Sequence, residues 1–149
     1  MEHLAPLHSR LSSVVVTTPQ AVALSDAIKC ISFTRTVSLP VLGVIENMSG
    51  YVCPCCGEVS NIFSTGGGED LARREGLNFL GSMPVDTALV TLLDAAENPA
   101  KSTEEEAART NGHTPFDVLD RYFLTSSWPI FKEIASKVAT LATGSSRAS

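Results

Sequence analysis

Three of the four cysteines fall within four positions, Cys53-Pro54-Cys55-Cys56, and thiolates are the side chains best suited to a soft metal ion or the edge of an iron-sulfur cluster. Cys53 and Cys56 stand three apart in the pattern C-P-x-C-G. At that spacing a tight turn can bring two thiolates together and aim backbone N–H groups at sulfur. The bland alternative is a pair of inert thiols. Cys55, at the x position, points away from the pair and reads as a bystander rather than a ligand; Cys30 falls in a predicted helix and reads as core. Zinc and iron-sulfur sites ordinarily take about four protein ligands. The chain holds no second C-x-x-C, and His3, His8 and His113 lie in segments expected to be mobile. The missing ligands must come from elsewhere. A two-fold dimer that sets two such knuckles face to face supplies four thiolates, and the residues leave zinc and an iron-sulfur cluster both open.

Other polar groups carry weaker signals. Asn47 sits where a buried strand is predicted to end and could read a base or ligand there, although from spacing alone an Asx turn is the better explanation. Thr17, Thr18 and Gln20 have the same status. Gly66-Gly67-Gly68 invites a phosphate-loop reading but lacks the lysine and following Ser or Thr that such a loop needs, so it is expected to be a flexible helix entry. No nucleophile elbow accompanies the Ser and His residues, and the carboxylates are scattered.

The elements that must carry these residues follow from periodicity. Val14 to Thr17, entered from Ser13, and the run Val41, Leu42, Val44, Ile45 are β-branched and apolar, as buried parallel strands are. Between them Ala21, Leu24, Ile28 and Ile31 recur at helical spacing with Ala27 beside them, which predicts a helix over 20–35 and a right-handed βαβ unit whose second strand opens after Pro40. That strand, 41–46, is expected to end in a polar turn leading to the cysteines, which hangs the thiol pair on the carboxyl end of a sheet. Asn61-Ile62-Phe63 suggests a short hairpin arm. A brief helix over Glu69–Glu75 stops at Gly76, with Glu69 and Asp70 in its first turn, where the helix dipole favours them. Residues 78–83 form a third strand, Pro84-Val85-Asp86 a loop leaving its end, and 87–95 a helix. Phe116, Leu119, Tyr122 and Phe123 mark an amphipathic helix; Ile130, Ile134, Val138 and Leu141 line the inner face of another over 129–141.

At 149 residues and 44% hydrophobic the chain can bury one ordinary core. A formal charge of -5 leaves no basic stripe for nucleic acid or anionic lipid, and no apolar run approaches a membrane span. Crowded cysteines are a poor disulfide framework and suit a reducing compartment. The expectation is a soluble intracellular chain without nucleic-acid or membrane partners.

Taken in order, VVVTTPQAVALSDAIK, PVLGVIENMSGYVCPCCG, IFSTGGGEDLA and FLGSMPVD resemble the carboxyl-terminal half of the Mrp/Nbp-type P-loop ATPases, and within them the Cfd-type cytosolic iron-sulfur cluster assembly factors of fungi. The resemblance covers residues 13–96 closely and 115–141 loosely. It implies an α/β fold, the deviant-Walker, MinD/Mrp-like P-loop NTPase fold, with a mostly parallel sheet flanked by helices and without the phosphate-loop half. It also implies a division into a frayed start (1–12), the ATPase half-domain with the cysteine knuckle (13–96), a polar insertion (97–114), carboxyl-terminal helices (115–142) and a mobile tail (143–149).

In function the resemblance implies a cytoplasmic scaffold that assembles a labile 4Fe-4S cluster and passes it to cytosolic and nuclear apo-proteins. Cys53 and Cys56 of each of two subunits would bridge the cluster, in a homodimer or in a heterotetramer with a paralogous Nbp-type ATPase. Asn47 would contact adenine, with Pro84 and Asp86 in a loop near that base. ATP and magnesium serve the complete family protein. This chain shows no G-K-G-G-V-G-K-[ST] loop and none of the aspartates that organise magnesium and water, so alone it is expected neither to bind nor to hydrolyse ATP. It is expected to be a fragment, a truncated gene product or a degenerate paralogue. Lacking the first strands, it should expose a sheet edge and apolar surface and depend on a partner. The rival expectations are a zinc-stapled dimerisation module and an inactive remnant.

Overall fold

A computed structural model of the chain describes residues 11–53, 56, 58–60, 65–97 and 115–145. Strand β1 (Ser13–Thr17) leads through helix α1 (Ala21–Thr36) to the long strand β2 (Val41–Val52). A two-residue strand β3 (Val59–Ser60) folds back on the end of β2, and helix α2 (Gly67–Glu75) returns the chain to β4 (Phe79–Val85). Helices α3 (Thr87–Glu97), α4 (Pro115–Tyr122) and α5 (Trp128–Ser145) complete the described elements. The fold is α/β.

The sheet is built around β2. Val15 and Phe79 both pair in parallel with Val44, which sets β1 and β4 on the two edges of the central strand. β3 pairs antiparallel with the last two residues of β2, Tyr51 with Ser60 and Val52 with Val59. Each parallel connection spends one helix, as a crossover between parallel strands must. The β-branched runs at 14–16 and 41–45 form the expected strands but are not buried throughout: Val44 is wholly buried and Val15 nearly so, packed with Ala27 and Ile31 of α1 and Leu71 and Ala72 of α2, whereas Val16 is 59% exposed. On α5, Ile134 is buried and approaches the backbone of β4 so closely that a Cβ on Gly81 would lie 2.9 Å from its Cγ1. Lys137 Nζ reaches the Leu80 carbonyl at 3.1 Å.

Several details depart from the sequence expectations. β2 does not stop at residue 46. It bends through positive φ at Met48 (56°) and Gly50 (88°), shifts register between Asn47 and Tyr51, and resumes pairing with both β4 and β3. Polar residues are tolerated in that stretch because their groups find partners within it. Pro84 and Val85, expected in a loop, close β4 instead, and Pro84 is buried; β4 pairs only with β2 among the described residues, and an edge strand accommodates a residue without an N–H. On α1 the buried stripe is narrow, Ala27, Ile31 and Thr34, so that Ala21 and Ile28 are exposed. Cys30 lies at the border of that stripe and is exposed rather than core. α5 runs to Ser145, past the point where a tail was expected. The expected arm at 61–63, most of the insertion at 97–114 and the amino-terminal start lie outside the described residues.

Candidate thiol site and its buried carboxylate support

β2 projects beyond its pairing with β1 and ends against the cysteines. Its backbone is extended there by the antiparallel β3 pairing, and Cys53 N–H donates to the Glu58 carbonyl at 2.9 Å, closing the hairpin. Cys53 is half-buried and Cys56 exposed. Cys55 lies outside the described residues. A two-stranded hairpin with so little pairing cannot hold itself. Its stability depends on how β2 and the returning chain are fastened beneath it.

That fastening is a carboxylate. Glu46 is completely buried, and its position on β2 brings it to the amino end of α2. Oε2 accepts the Gly68 N–H at 2.6 Å, while Oε1 accepts the Gly66 N–H at 3.1 Å and the Ser49 hydroxyl at 2.6 Å. An anion in this place satisfies helix N–H groups that have no intrahelical acceptor and meets the positive end of the dipole. Glycine is required for the approach. A Cβ on Gly68 would sit 2.9 Å from Glu46 Cβ, and one on Gly67 2.8 Å from Leu24 Cδ1; Gly66 adopts φ 84°. The triple glycine is thus a helix entry, as its sequence suggested, and the amides of Gly66 and Gly68 are engaged by the protein's own carboxylate.

The residues expected near a nucleotide are separated in character. Asn47 follows Glu46 within β2, pairs in register with Met83 and is exposed; its Oδ1 accepts the N–H of the next residue, Met48, at 2.9 Å. Pro84 is buried. Asp86 is buried as well, and caps α3: Oδ1 accepts from Ala88 N–H (3.0 Å) and Leu89 N–H (3.2 Å), Oδ2 from Ser127 N–H (3.2 Å). Burial, and secondarily the charge of Asp86, holds the Tyr122 hydroxyl above the usual tyrosine pKa. Thr17 is buried and its hydroxyl is turned to the Thr18 carbonyl.

The glycine-rich turn at 66–68 does not fit the phosphates of a nucleoside triphosphate. Those phosphates need a run of free backbone N–H groups and lysines; here the Gly66 and Gly68 amides hold Glu46, and the Asp86 carboxylate is taken up by three N–H groups. The thiol pair, by contrast, is a donor set of the right chemistry for half of a metal or cluster site. Among the described residues no three His, Cys, Asp or Glu side chains gather in one place that could hold a metal ion, nor is any helix long and apolar enough to cross a membrane. Glu46 was the functional-looking residue that periodicity did not single out. The available signal was a carboxylate in an apolar strand, which must be matched by buried donors somewhere.

Comparison with known proteins gives the family. The chain is 45% identical over 148 residues to the cytosolic Fe-S cluster assembly factor cfd1 of Aspergillus clavatus, covering 95% of this chain and 47% of that one. It is 56% identical over 89 residues to the factor CFD1 of Mycosarcoma maydis, covering 60% of this chain and 25% of that one. With the factor NUBP2 of Bos taurus the identity is 51% over 98 residues, covering 62% and 36%. The chain therefore spans about a quarter to about half the length of the curated relatives it matches. Among solved structures it is similar to a nucleotide-binding protein from Archaeoglobus fulgidus in complex with ADP, found with Co, at TM-score 0.50 and 31% identity over 62% of this chain and 38% of that one. The pattern of the ParA group described as NUBPL iron-transfer P-loop NTPases matches residues 3–115, three quarters of the sequence, and to that family this chain belongs.

Proposed function

We propose that the chain acts in cytoplasmic iron-sulfur cluster assembly as half of a scaffold, with Cys53 and Cys56 as its cluster ligands. The observation that carries this reading is the placement of the thiols: one half-buried and one exposed, on a hairpin extended from the central strand, where a second subunit can reach them. Two thiolates per chain leave a cluster half-ligated. A second copy, or a related Nbp-type ATPase subunit, completes four, and the 4Fe-4S cluster is bridged between the two.

The cluster is cargo. It leaves when a thiolate of the recipient apo-protein displaces one of Cys53 or Cys56 from iron; a new iron–sulfur bond forms as the old one breaks, the released thiolate takes a proton from water, and no electron changes hands. An exposed site with two ligands per chain favours such exchange. Nucleotide control belongs to the complete family protein, and no step of this transfer passes through ATP here.

The test is anaerobic reconstitution of the chain with iron and sulfide, read by visible absorption and by sizing, beside Cys53→Ala/Cys56→Ala. A brown dimer that the double variant cannot form supports the reading. A colourless wild type that takes up zinc at half an equivalent per chain replaces the cluster scaffold with a zinc-stapled dimer, and a colourless monomer without metal leaves an inactive remnant.

A further inference from the structure

Glu46 is spent on more than capping a helix. Its three partners lie on both sides of the chain excursion that carries the cysteines: Ser49 just before it, and Gly66 and Gly68 just after. The departing strand and the returning helix are thus fastened to one buried point, and the β2–β3 pairing and the Cys53-to-Glu58 backbone bond stand on that base. The neighbouring backbone is set for this arrangement, with Met48 at φ 56° and Gly50 at φ 88° turning the strand so that the Ser49 hydroxyl faces the carboxylate.

We propose that Glu46 is a positioning residue of the thiol site, its carboxylate joining the two ends of the cysteine-bearing excursion so that Cys53 and Cys56 are presented together. The inference rests on the assignment of those thiols as metal ligands. Glu46 does not touch the metal. It acts by reducing the arrangements the hairpin can adopt, so that less ordering remains to be done when metal binds. Groups hydrogen-bonded directly to metal ligands change affinity by roughly 10- to 100-fold when removed; Glu46 acts through Ser49, Gly66 and Gly68 rather than on the thiols, which sets its expected effect at the lower end of that range.

Glu46→Gln is the discriminating change. It keeps the side chain's size and one acceptor oxygen, but sets an NH2 donor where the second oxygen met an N–H or the Ser49 hydroxyl. Ser49→Ala removes one of the three bonds and leaves both helix amides satisfied.

The experiment is an anaerobic titration of the full chain with Co2+ at fixed protein concentration, read by the thiolate-to-cobalt charge-transfer band, with circular dichroism and a melting curve on each variant. Wild type, Cys53→Ala/Cys56→Ala, Glu46→Gln and Ser49→Ala are compared. The expected result is a band in wild type that the double-cysteine variant lacks, a half-saturation raised about tenfold in folded Glu46→Gln, and a smaller rise in the same direction for Ser49→Ala. A folded Glu46→Gln with wild-type half-saturation and band overturns the inference while the thiol site stands. If Glu46→Gln does not fold, Ser49→Ala decides, and its equality with wild type overturns the inference. A wild type without the band takes down the thiol assignment and this inference together.

Discussion

Two buried carboxylates, one within β2 and one just past the end of β4, do the same task by different routes. Asp86 follows β4 and caps the helix that begins at the next residue, through N–H groups two and three positions on; its second oxygen ties in Ser127 from before α5. Glu46 lies inside β2 and caps a helix that begins only at Gly67, through N–H groups 20 and 22 positions on. The first is a local cap of the ordinary kind. The second is a tertiary lock: it holds a helix, a strand bend and the cysteine hairpin to one another, and it needs glycines because the strand and helix backbones come so close. A local cap fails locally, whereas loss of the lock should be felt wherever its three partners lead.

The largest effect is therefore expected from Glu46→Ala. It leaves two amides and a hydroxyl without their acceptor in a buried place, and should lower stability by about 3 kcal/mol or more, read as a shift of the urea midpoint. Gly68→Ala attacks the same lock from the other side, with two opposed terms. Alanine gains about 1 kcal/mol over glycine in a helix, but its Cβ would lie 2.9 Å from Glu46 Cβ, and such overpacking costs about 1–3 kcal/mol. The crowding should win, giving net destabilisation. Gly144→Ala in α5 is the control, since a Cβ there meets nothing within 4 Å; it should stabilise or do nothing. If Gly68→Ala also stabilises, the close approach of β2 and α2 is not a constraint.

The contrast between the two carboxylates also marks where the sequence was legible. Val14–Thr17 and Val41–Ile45 announced strands, and Ile134 and Val138 an inner helix face, because those signals are carried by residues a few positions apart. The reading of Cys53 and Cys56 as ligands rests on the same kind of local spacing. The α3 cap was present in the sequence as an aspartate just before a helix, yet it read as part of a loop because Pro84 suggested a break; an edge strand can hold a proline, so the strand ran on to Val85. The Glu46 lock was not legible. A carboxylate in an apolar strand says that buried donors must exist but not which, since its partners are fixed only once α2 has folded back over the sheet. Cys30 failed for a geometric reason: the stripe α1 buries is three residues wide, and periodicity alone does not say where such a stripe ends.

Asp86→Ala should cost about 1–2 kcal/mol, the usual range for a lost cap, and so less than Glu46→Ala. A reversal of that order would mean that the bond to Ser127, which joins α3 to the start of α5, makes Asp86 the more central of the two.

The smallest effect sharpens the Asp86 side through Tyr122. Burial first, and the Asp86 charge second, raise the pKa of this hydroxyl above its ordinary value of 10.0. With the folded pKa raised, the unfolded chain gives up the proton first as pH rises, so stability from this group is intact below about pH 10 and is lost as pH climbs through the folded value. The chain has two tyrosines, so the phenolate absorbance of Tyr122 can be followed alone in a Tyr51→Phe background. Asp86→Asn in that background keeps the oxygen that caps α3 and removes the charge. The Tyr122 titration should then move down towards its ordinary value without reaching it, because burial, the larger cause, is untouched. A midpoint that does not move would mean that the Asp86 charge does not reach the ring. In that case the two carboxylates would resemble each other more than their partners suggest, each serving only the backbone amides that surround it.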